Sequence, residues 1–380
     1  MANSVQDLFT KQGQSPWLDF IRRNMLEDGG LKRYVEQDGI RGVTANPTIF
    51  AQAIGAGDDY DAQLRELVRD GVAAHDFFEK IAAVDIRQAT DTLRPVFDEA
   101  RADGFVSIEV SPAKAYQTQP TIDEAKRWWS LIGRPNLMVK IPATNEGLPA
   151  VEECIFAGLN INVTLIFALE FYERVMEAYV RGLERRAEAG LDLGDCNSVA
   201  SFFVSRVDGA ADKLIEEKLA AATSDAERAM LQGLLGKVAN ANAKVAYERF
   251  HAVFGSERFK KLREKGAKPQ RPLWASTGTK NKAYSDILYV QELIGPDTVN
   301  TMPPATIDAF RDHGVASRTL DAGVDAARRV LADLESAGIA LREITDKLQV
   351  DGVASFSKSF DEINAITAQK VEQIKKASAA

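Results

Sequence analysis

Leu137-Met-Val-Lys-Ile-Pro142 is an apolar run broken by one amine, Lys140. Strands covered by helices on one face and by a packed core on the other are nearly continuously hydrophobic, so Leu137 to Ile141 reads as a strand of a parallel sheet. Upstream, Ile122 to Ile132 carries apolar residues at three- and four-residue spacing, the mark of an amphipathic helix. Downstream, Leu159 to Ile166 is again strand-like and Leu169 to Ala189 again helical. Followed in both directions, the alternation yields runs at Trp17 to Ile21, Ile40 to Thr44, Phe105 to Val110, Leu137 to Ile141, Leu159 to Ile166, Val199 to Ser205, Leu273 to Ser276 and Thr298 to Met302. Eight such strands with helices between them predict an α/β chain of the (β/α)8 TIM-barrel type.

The helical pattern of Asp208 to Ala222 covers a further strand. The connections from Phe50 to Gly104 and from Arg206 to Pro272 are longer than the others and carry helical periodicity, so they predict additional helices and no domain boundary. After the eighth run, Pro303-Pro304 opens a helix from Ala305, a second spans Val324 to Ala337 and stops at Gly338, and further helices reach the C-terminus. Residues 1–380 are therefore expected to form one barrel domain with a helical C-terminal extension.

Composition narrows the function. Hydrophobic residues make up 45% of the 380 and charged residues 27%, enough for a full core. A formal net charge of −8 with no basic stripe argues against a nucleic-acid partner, and any anion site must be local. Two cysteines, Cys154 and Cys196, make neither a disulfide framework nor a metal knuckle. The N-terminus has no basic and apolar leader pattern, and the longest apolar stretch, Val163 to Tyr172, is interrupted by Glu170 and is far short of the roughly 20 residues of a membrane span. A cytoplasmic protein with no membrane partner is expected. His75, His251 and His313 have no partner at ligand spacing and are read as structural or solvated, with no metal. Asp58-Asp59 is read as solvated loop. The oligomeric state is left open.

Chemistry enters through the polar residues that interrupt the strands. Asp19 lies in Trp17-Leu-Asp-Phe-Ile21, Glu109 in Val106-Ser-Ile-Glu-Val110, Lys140 in its own run and Asn162 in Asn160-Ile-Asn-Val-Thr-Leu-Ile166, while Asn46 and Ser276 stand at or past the ends of others. Any one strand-end Asp or Asn has a bland reading as turn former or helix cap. A lysine in an apolar strand is harder to dismiss, because burying an unpaired ammonium costs several kcal/mol, so it needs a partner or a job. TIM-barrel sites are built from the C-terminal ends of several strands, and acid, amine and carboxamide groups meeting there suit a sugar and carbonyl chemistry at the amine. Ser276-Thr-Gly-Thr-Lys280 lacks the first glycine and the spacing of a nucleotide phosphate loop but can still touch a phosphate.

Gly42-Val-Thr-Ala-Asn-Pro-Thr-Ile-Phe50 resembles the signature that follows the second strand in the transaldolase family, and Leu137-Met-Val-Lys-Ile-Pro-Ala-Thr-Asn-Glu-Gly-Leu148 resembles that family's active-site lysine motif on the fourth strand. The resemblance runs from Trp17 to the helical C-terminus and is to the longer bacterial-type branch. It implies the barrel, a Schiff base on Lys140, acid/base work at the carbon–carbon bond by Asp19, and a water served by Glu109 and held near Thr164. It further implies substrate hydroxyls on Asn46 and Asn162, and Ser201 with a phosphate-binding Arg206 on the sixth strand. Where many relatives place a second arginine after Ala-Ser, this chain has Ala275-Ser-Thr-Gly-Thr-Lys280, so Lys280 is taken as the substitute beside Ser276. Phe202 stands where some relatives carry proline.

The reaction so implied moves a dihydroxyacetone unit from sedoheptulose 7-phosphate to glyceraldehyde 3-phosphate and needs no cofactor. A Schiff base requires the neutral amine, which an apolar strand favours by disfavouring the ammonium. Two rivals stand beside this reading: a sugar-phosphate aldolase of the same superfamily, and a non-catalytic sugar-phosphate-binding protein. The sister aldolases tend to carry glutamine where Glu109 stands and tyrosine where Phe203 stands, and the chain resembles the transferase type at both.

Overall fold

Parallel strands pair in strict chain order and close on themselves in the computed structural model, which describes residues 3–73 and 76–379. They are β1 (Gln14–Leu18), β2 (Gly42–Thr44), β3 (Phe105–Glu109), β4 (Leu137–Pro142), β5 (Ile161–Ile166), β6 (Ser198–Phe203), β7 (Arg271–Ala275) and β8 (Thr298–Met302), and the β1–β8 ladder seals the barrel. Nearly every strand residue is buried, as a sheet covered on both faces requires. Helices Thr118–Ile132, Gly147–Phe156, Leu169–Glu188 and Ser205–Ala221 follow β3 to β6.

The strand order matches the one expected, but the first strand lies three residues upstream of Trp17 to Ile21. Its ladder with β8 runs from Gln14↔Thr298 to Leu18↔Met302. Hydropathy hides Gln14 and Ser15, which are nevertheless fully buried. Gln14 Nε2 donates to Leu293 O at 2.6 Å and to Thr298 Oγ1 at 2.9 Å, and Ser15 Oγ donates to Asp103 at 2.5 Å, so neither is left unpaired on its donor side. Asp19 accordingly sits just past the strand, though its N–H still donates to Met302 O at 2.8 Å. The seventh strand likewise ends at Ala275, because Ser276 takes a left-handed backbone (φ 57°) that breaks the ladder.

Below the site the barrel is plugged. The Trp17 and Phe105 rings lie 6.4 Å apart, and a Cβ on Gly42 would fall 2.3 Å from the Trp17 indole, so only glycine lets β2 pass this ring. Trp17 Nε1 donates to Asp103 at 3.1 Å, a carboxylate that also receives Arg41 (3.0 Å) and Arg271 (3.1 Å). The long connections hold helices as expected: Pro47–Gly55, Asp61–Arg69 and Phe77–Ala100 in the first, and Ser205–Ala221, Asp225–Leu234, Val238–Phe254 and Glu257–Arg263 in the second.

The C-terminal region differs from the expectation of several helices, because after Pro304–His313 and Val324–Ser336 the chain forms one 39-residue helix, Leu341–Ala379. It crosses the face of the barrel where the strands end. Gln349 Nε2 donates to Ala143 O after β4, Gly352 lies against Leu165 of β5, Ser359 and Thr48 hydroxyls meet at 2.9 Å, and Lys370 pairs with Asp61 at 2.8 Å. Phe360 packs edge-on against Phe78 (5.4 Å), which packs against Phe50 (5.3 Å). Such aromatic pairs contribute about 0.5–1.5 kcal/mol each beyond area burial, so the crossing is held along most of its length.

Asp59, expected in solvated loop, is instead paired with Arg22 at 2.5 Å, whereas Asp58 is exposed. His251 lies against Tyr247 (ring centroids 4.4 Å apart), and exposed His313 hydrogen-bonds Asp286 at 2.9 Å. His75 lies outside the described residues. Among the described residues no helix is long and apolar enough to cross a membrane.

Candidate active site

The register of the sheet makes the centre of the site. Across β3, β4 and β5 the partners are Glu109↔Lys140↔Asn162, so a carboxyl, an amine and a carboxamide lie in one row at the strands' C-terminal half. The Lys140 ammonium is buried, 3.5 Å from Glu109 Oε2, and donates to Ala45 O at 3.3 Å. Burial pushes the Glu109 carboxyl up to about 6, with Lys140 opposing the rise. Among the described residues Glu109 Oε2 accepts no hydrogen bond, and the Thr164 hydroxyl, two residues beyond Asn162 on the same face of β5, is also buried and without a partner. Directly after Thr164 comes a register irregularity with Leu165 left-handed (φ 59°), a conformation that costs about 1–3 kcal/mol in a non-glycine residue.

Above this row opens a cavity of about 400 Å³. Lys140 and Thr164 reach it from the middle strands, Asp19, Thr44 and Asn46 from the ends of β1 and β2, Ser201 and Phe203 from β6, and Ser276 and Lys280 from the loop after β7. Glu109 and Asn162 lie beneath its surface. The Asn162 amide is engaged at both ends, donating to Ser107 Oγ at 3.1 Å and accepting from Ser201 Oγ at 2.7 Å. Asn46 has the structural role its position before Pro47 allows: its Oδ1 accepts from Ile49 N at 3.0 Å and caps the helix Pro47–Gly55. Its amide nitrogen has no hydrogen-bond partner among the described residues and is free to donate to a hydroxyl.

Asp19 is held by residues the sequence reading passed over. Thr44 Oγ1 donates to Asp19 Oδ1 at 2.6 Å and is itself 2.7 Å from Thr301 Oγ1, a contact that exists only because barrel closure brings β8 beside β1 and β2. Burial raises the Asp19 carboxyl above its ordinary value, while the Thr44 hydrogen bond and then the charges of Lys140 and Arg206 oppose the shift. A carboxylate more basic than usual, locked in one rotamer, can take a proton from a hydroxyl above it.

The cavity mouth is cationic. Arg206 stands in the first turn of Ser205–Ala221, and Lys280 at the end of the loop that Ser276 turns; the Ser276 and Ser205 hydroxyls meet at 3.0 Å. Neither cation has an ion pair or hydrogen bond to a described residue. Burial, and secondly the nearness of Arg206, hold Lys280 below its ordinary range, so two positive charges face one space. That arrangement suits a phosphate. The Thr279 hydroxyl, buried and without a partner among the described residues, lines the same end together with Thr306.

Thr44 and Thr301 were missed because a strand-end threonine is unremarkable in a β-rich run, and Thr279 because it sits in the loop after β7 between the more telling Ser276 and Lys280. Phe356, which also lines the cavity, comes from the C-terminal helix and gives no local signal at all. Phe203 lines the cavity and also packs, its ring 5.1 Å from that of Phe167. Phe202, by contrast, is fully buried between Tyr172 (5.7 Å) and Trp274 (6.1 Å).

Comparison with known proteins agrees with this architecture. Residues 16–366 match the transaldolase/fructose-6-phosphate aldolase family. The chain is 47% identical over 373 residues to a transaldolase of Thermobifida fusca, covering 98% of this chain and 99% of the relative. It is 45% identical over 365 residues to a transaldolase of Trichodesmium erythraeum, covering 95% and 96%, and 45% identical over 355 residues to transaldolase 2 of a Nostoc species, covering 92% and 93%. A closed eight-stranded parallel barrel carrying a buried lysine on its fourth strand, matched over nearly its whole length, therefore belongs to the transaldolase/fructose-6-phosphate aldolase family.

Proposed function

We propose that this chain is a transaldolase that carries a dihydroxyacetone unit on Lys140, taking it from sedoheptulose 7-phosphate and giving it to glyceraldehyde 3-phosphate. The observation that supports this most is a buried amine 3.5 Å from one carboxyl, at the floor of a cavity that also presents the Asp19 carboxyl and two cations unpaired among the described residues. Lys140 Nζ attacks the C2 carbonyl of the ketose, and Glu109, acting through a water held near Thr164, supplies the proton with which the carbinolamine loses water. The resulting iminium is an electron sink. Asp19 takes the C4 hydroxyl proton, the C3–C4 bond breaks into the iminium, and erythrose 4-phosphate leaves while an enamine stays on Lys140. The acceptor aldehyde is then attacked by that enamine, Asp19 returns the proton to the new C4 oxygen, and hydrolysis releases fructose 6-phosphate. Asn46 and Ser201, with Asn162 beneath them, hold the sugar hydroxyls, and Arg206 with Lys280 and Ser276 binds the phosphate.

We read residues 1–380 as one domain working in the cytoplasm, a placement in keeping with two buried cysteines that are both free thiols. The test is incubation with fructose 6-phosphate and borohydride, mass mapping of the reduced peptide, and a coupled assay with erythrose 4-phosphate as acceptor. Capture of dihydroxyacetone on a lysine other than Lys140, or no transfer, defeats the proposal.

Arg206→Ala should weaken phosphorylated aldoses by roughly 1.5–3 kcal/mol, or about one to two decades in affinity. Equal loss on unphosphorylated acceptors would remove Arg206 from phosphate binding. Because Glu109 sits at about 6, the rate of iminium formation should show a limb near that pH, and Glu109→Gln should flatten it in single-turnover experiments.

Phe203 is the reason we give for transfer over release. Its apolar ring at the cavity offers no proton relay to the water served by Glu109, so the enamine survives until an aldose arrives. Phe203→Tyr adds a donor and acceptor there and should raise dihydroxyacetone release from fructose 6-phosphate while transfer falls. The ratio of free dihydroxyacetone to sedoheptulose 7-phosphate, with erythrose 4-phosphate present, measures it, and an unchanged ratio in a folded variant would leave Phe203 a packing residue.

A further inference from the structure

Arg206 is an unusual buried-edge arginine, because no acid or carbonyl among the described residues accepts from it. Two aromatic faces flank it instead. Its guanidinium carbon lies 5.3 Å from the Phe203 ring centroid and 5.9 Å from that of Phe356, both within cation–π range. Phe203 belongs to β6 and precedes Arg206 by one turn of chain. Phe356 comes from the middle of Leu341–Ala379, is 3% exposed, and still contributes to the cavity wall.

An aromatic face holds a guanidinium by its charge and plane without occupying any N–H. A carboxylate partner would hold it more tightly but would fill the fork that a phosphate needs. Such partners are near: Asp19 and Glu109 both act on Arg206 electrostatically, so a guanidinium let go by its aromatic neighbours has acidic groups deeper in the site to turn towards. We propose that Phe356 is a positioning residue for the reaction, holding the Arg206 guanidinium with Phe203 at the cavity mouth so that its donors stay free for the phosphate. The C-terminal helix is thereby part of the substrate-specificity apparatus. Its anchorage on both sides of Phe356, by Gly352 against Leu165 and by Ser359 on Thr48, keeps the ring in place.

This inference rests on the phosphate role given to Arg206, and the experiment separates the two. Phe356→Leu keeps an apolar side chain of similar size without the π face, Phe356→Trp keeps the face, and Phe356→Met replaces leucine if that variant does not fold. The quantity read is kcat/KM for glyceraldehyde 3-phosphate divided by kcat/KM for unphosphorylated glyceraldehyde, with fructose 6-phosphate as donor. Phe356→Leu should lower this ratio about five- to tenfold, mostly through KM of the phosphorylated acceptor. Phe356→Trp should restore it, and Phe356→Leu should lower it no further in an Arg206→Ala background. A ratio unmoved by Phe356→Leu while Arg206→Ala lowers it overturns the positioning role and leaves Arg206 as the phosphate ligand. Equal effects of Phe356→Leu with and without Arg206 overturn it too. A ratio untouched by Arg206→Ala overturns both.

Discussion

Lys140→Ala is expected to form no borohydride-stable adduct with fructose 6-phosphate and to lose transfer by roughly 10⁴-fold or more, as when a covalent nucleophile is removed. Lys140→Arg should be equally inactive, since a guanidinium offers no neutral amine at working pH. The fold should survive, because Glu109 already sits at about 6 through burial, with Lys140 the main influence holding it down. Without that ammonium the carboxyl rises further and becomes neutral at neutral pH instead of remaining a buried charge. A carboxyl whose folded value exceeds its unfolded value of about 4.3 contributes stability that is full below the unfolded value and lost as pH rises through the folded one. Losing Lys140 extends that window upward, so the variant should lose more stability relative to wild type at pH 8 than at pH 5. Denaturant melts at the two pH values and peptide mapping after reduction check both parts. Dihydroxyacetone trapped on Lys140→Ala would move the Schiff base elsewhere.

Asp19→Asn should leave iminium formation intact and slow carbon–carbon cleavage by roughly 10² to 10⁴, the usual range for losing a general acid/base. The carboxamide is close in shape and its oxygen can still accept the 2.6 Å hydrogen bond from Thr44, so the side chain stays where it is and only proton transfer is lost. Borohydride should trap wild-type amounts of the fructose 6-phosphate iminium while glyceraldehyde 3-phosphate appears slowly. Turnover near wild type would place the acid/base role on another group, and loss of the adduct would mean that Asp19 acts before cleavage.

Much of this was legible because a barrel built from consecutive parallel strands writes its fold locally. Each strand of β3 to β6 is an apolar run, each is followed by a helix with its own period, and polar residues stand out against that background at Glu109, Lys140 and Asn162. The first strand was misplaced because Gln14 and Ser15 look solvent-exposed and are buried only by virtue of partners far along the chain, Leu293, Thr298 and Asp103. Asn46 illustrates a residue for which helix capping and substrate binding cannot be told apart by position, and its two amide ends leave room for both.

The sequence by itself determined the class of fold, the strand order and the polar groups carried at the strand ends, since hydrophobic period, turn residues and motif spacing act between neighbours in the chain. Only tertiary structure decided which of those groups meet. Register across β3 and β4 sets the Glu109–Lys140 distance, closure of β8 on β1 brings Thr301 to the threonine that holds Asp19, and the path of one long helix over the barrel mouth carries Phe356 to Arg206. Contacts of this kind are selected by the packing of whole elements, whose free energy depends on surfaces brought together from distant segments and leaves no periodicity in any one of them.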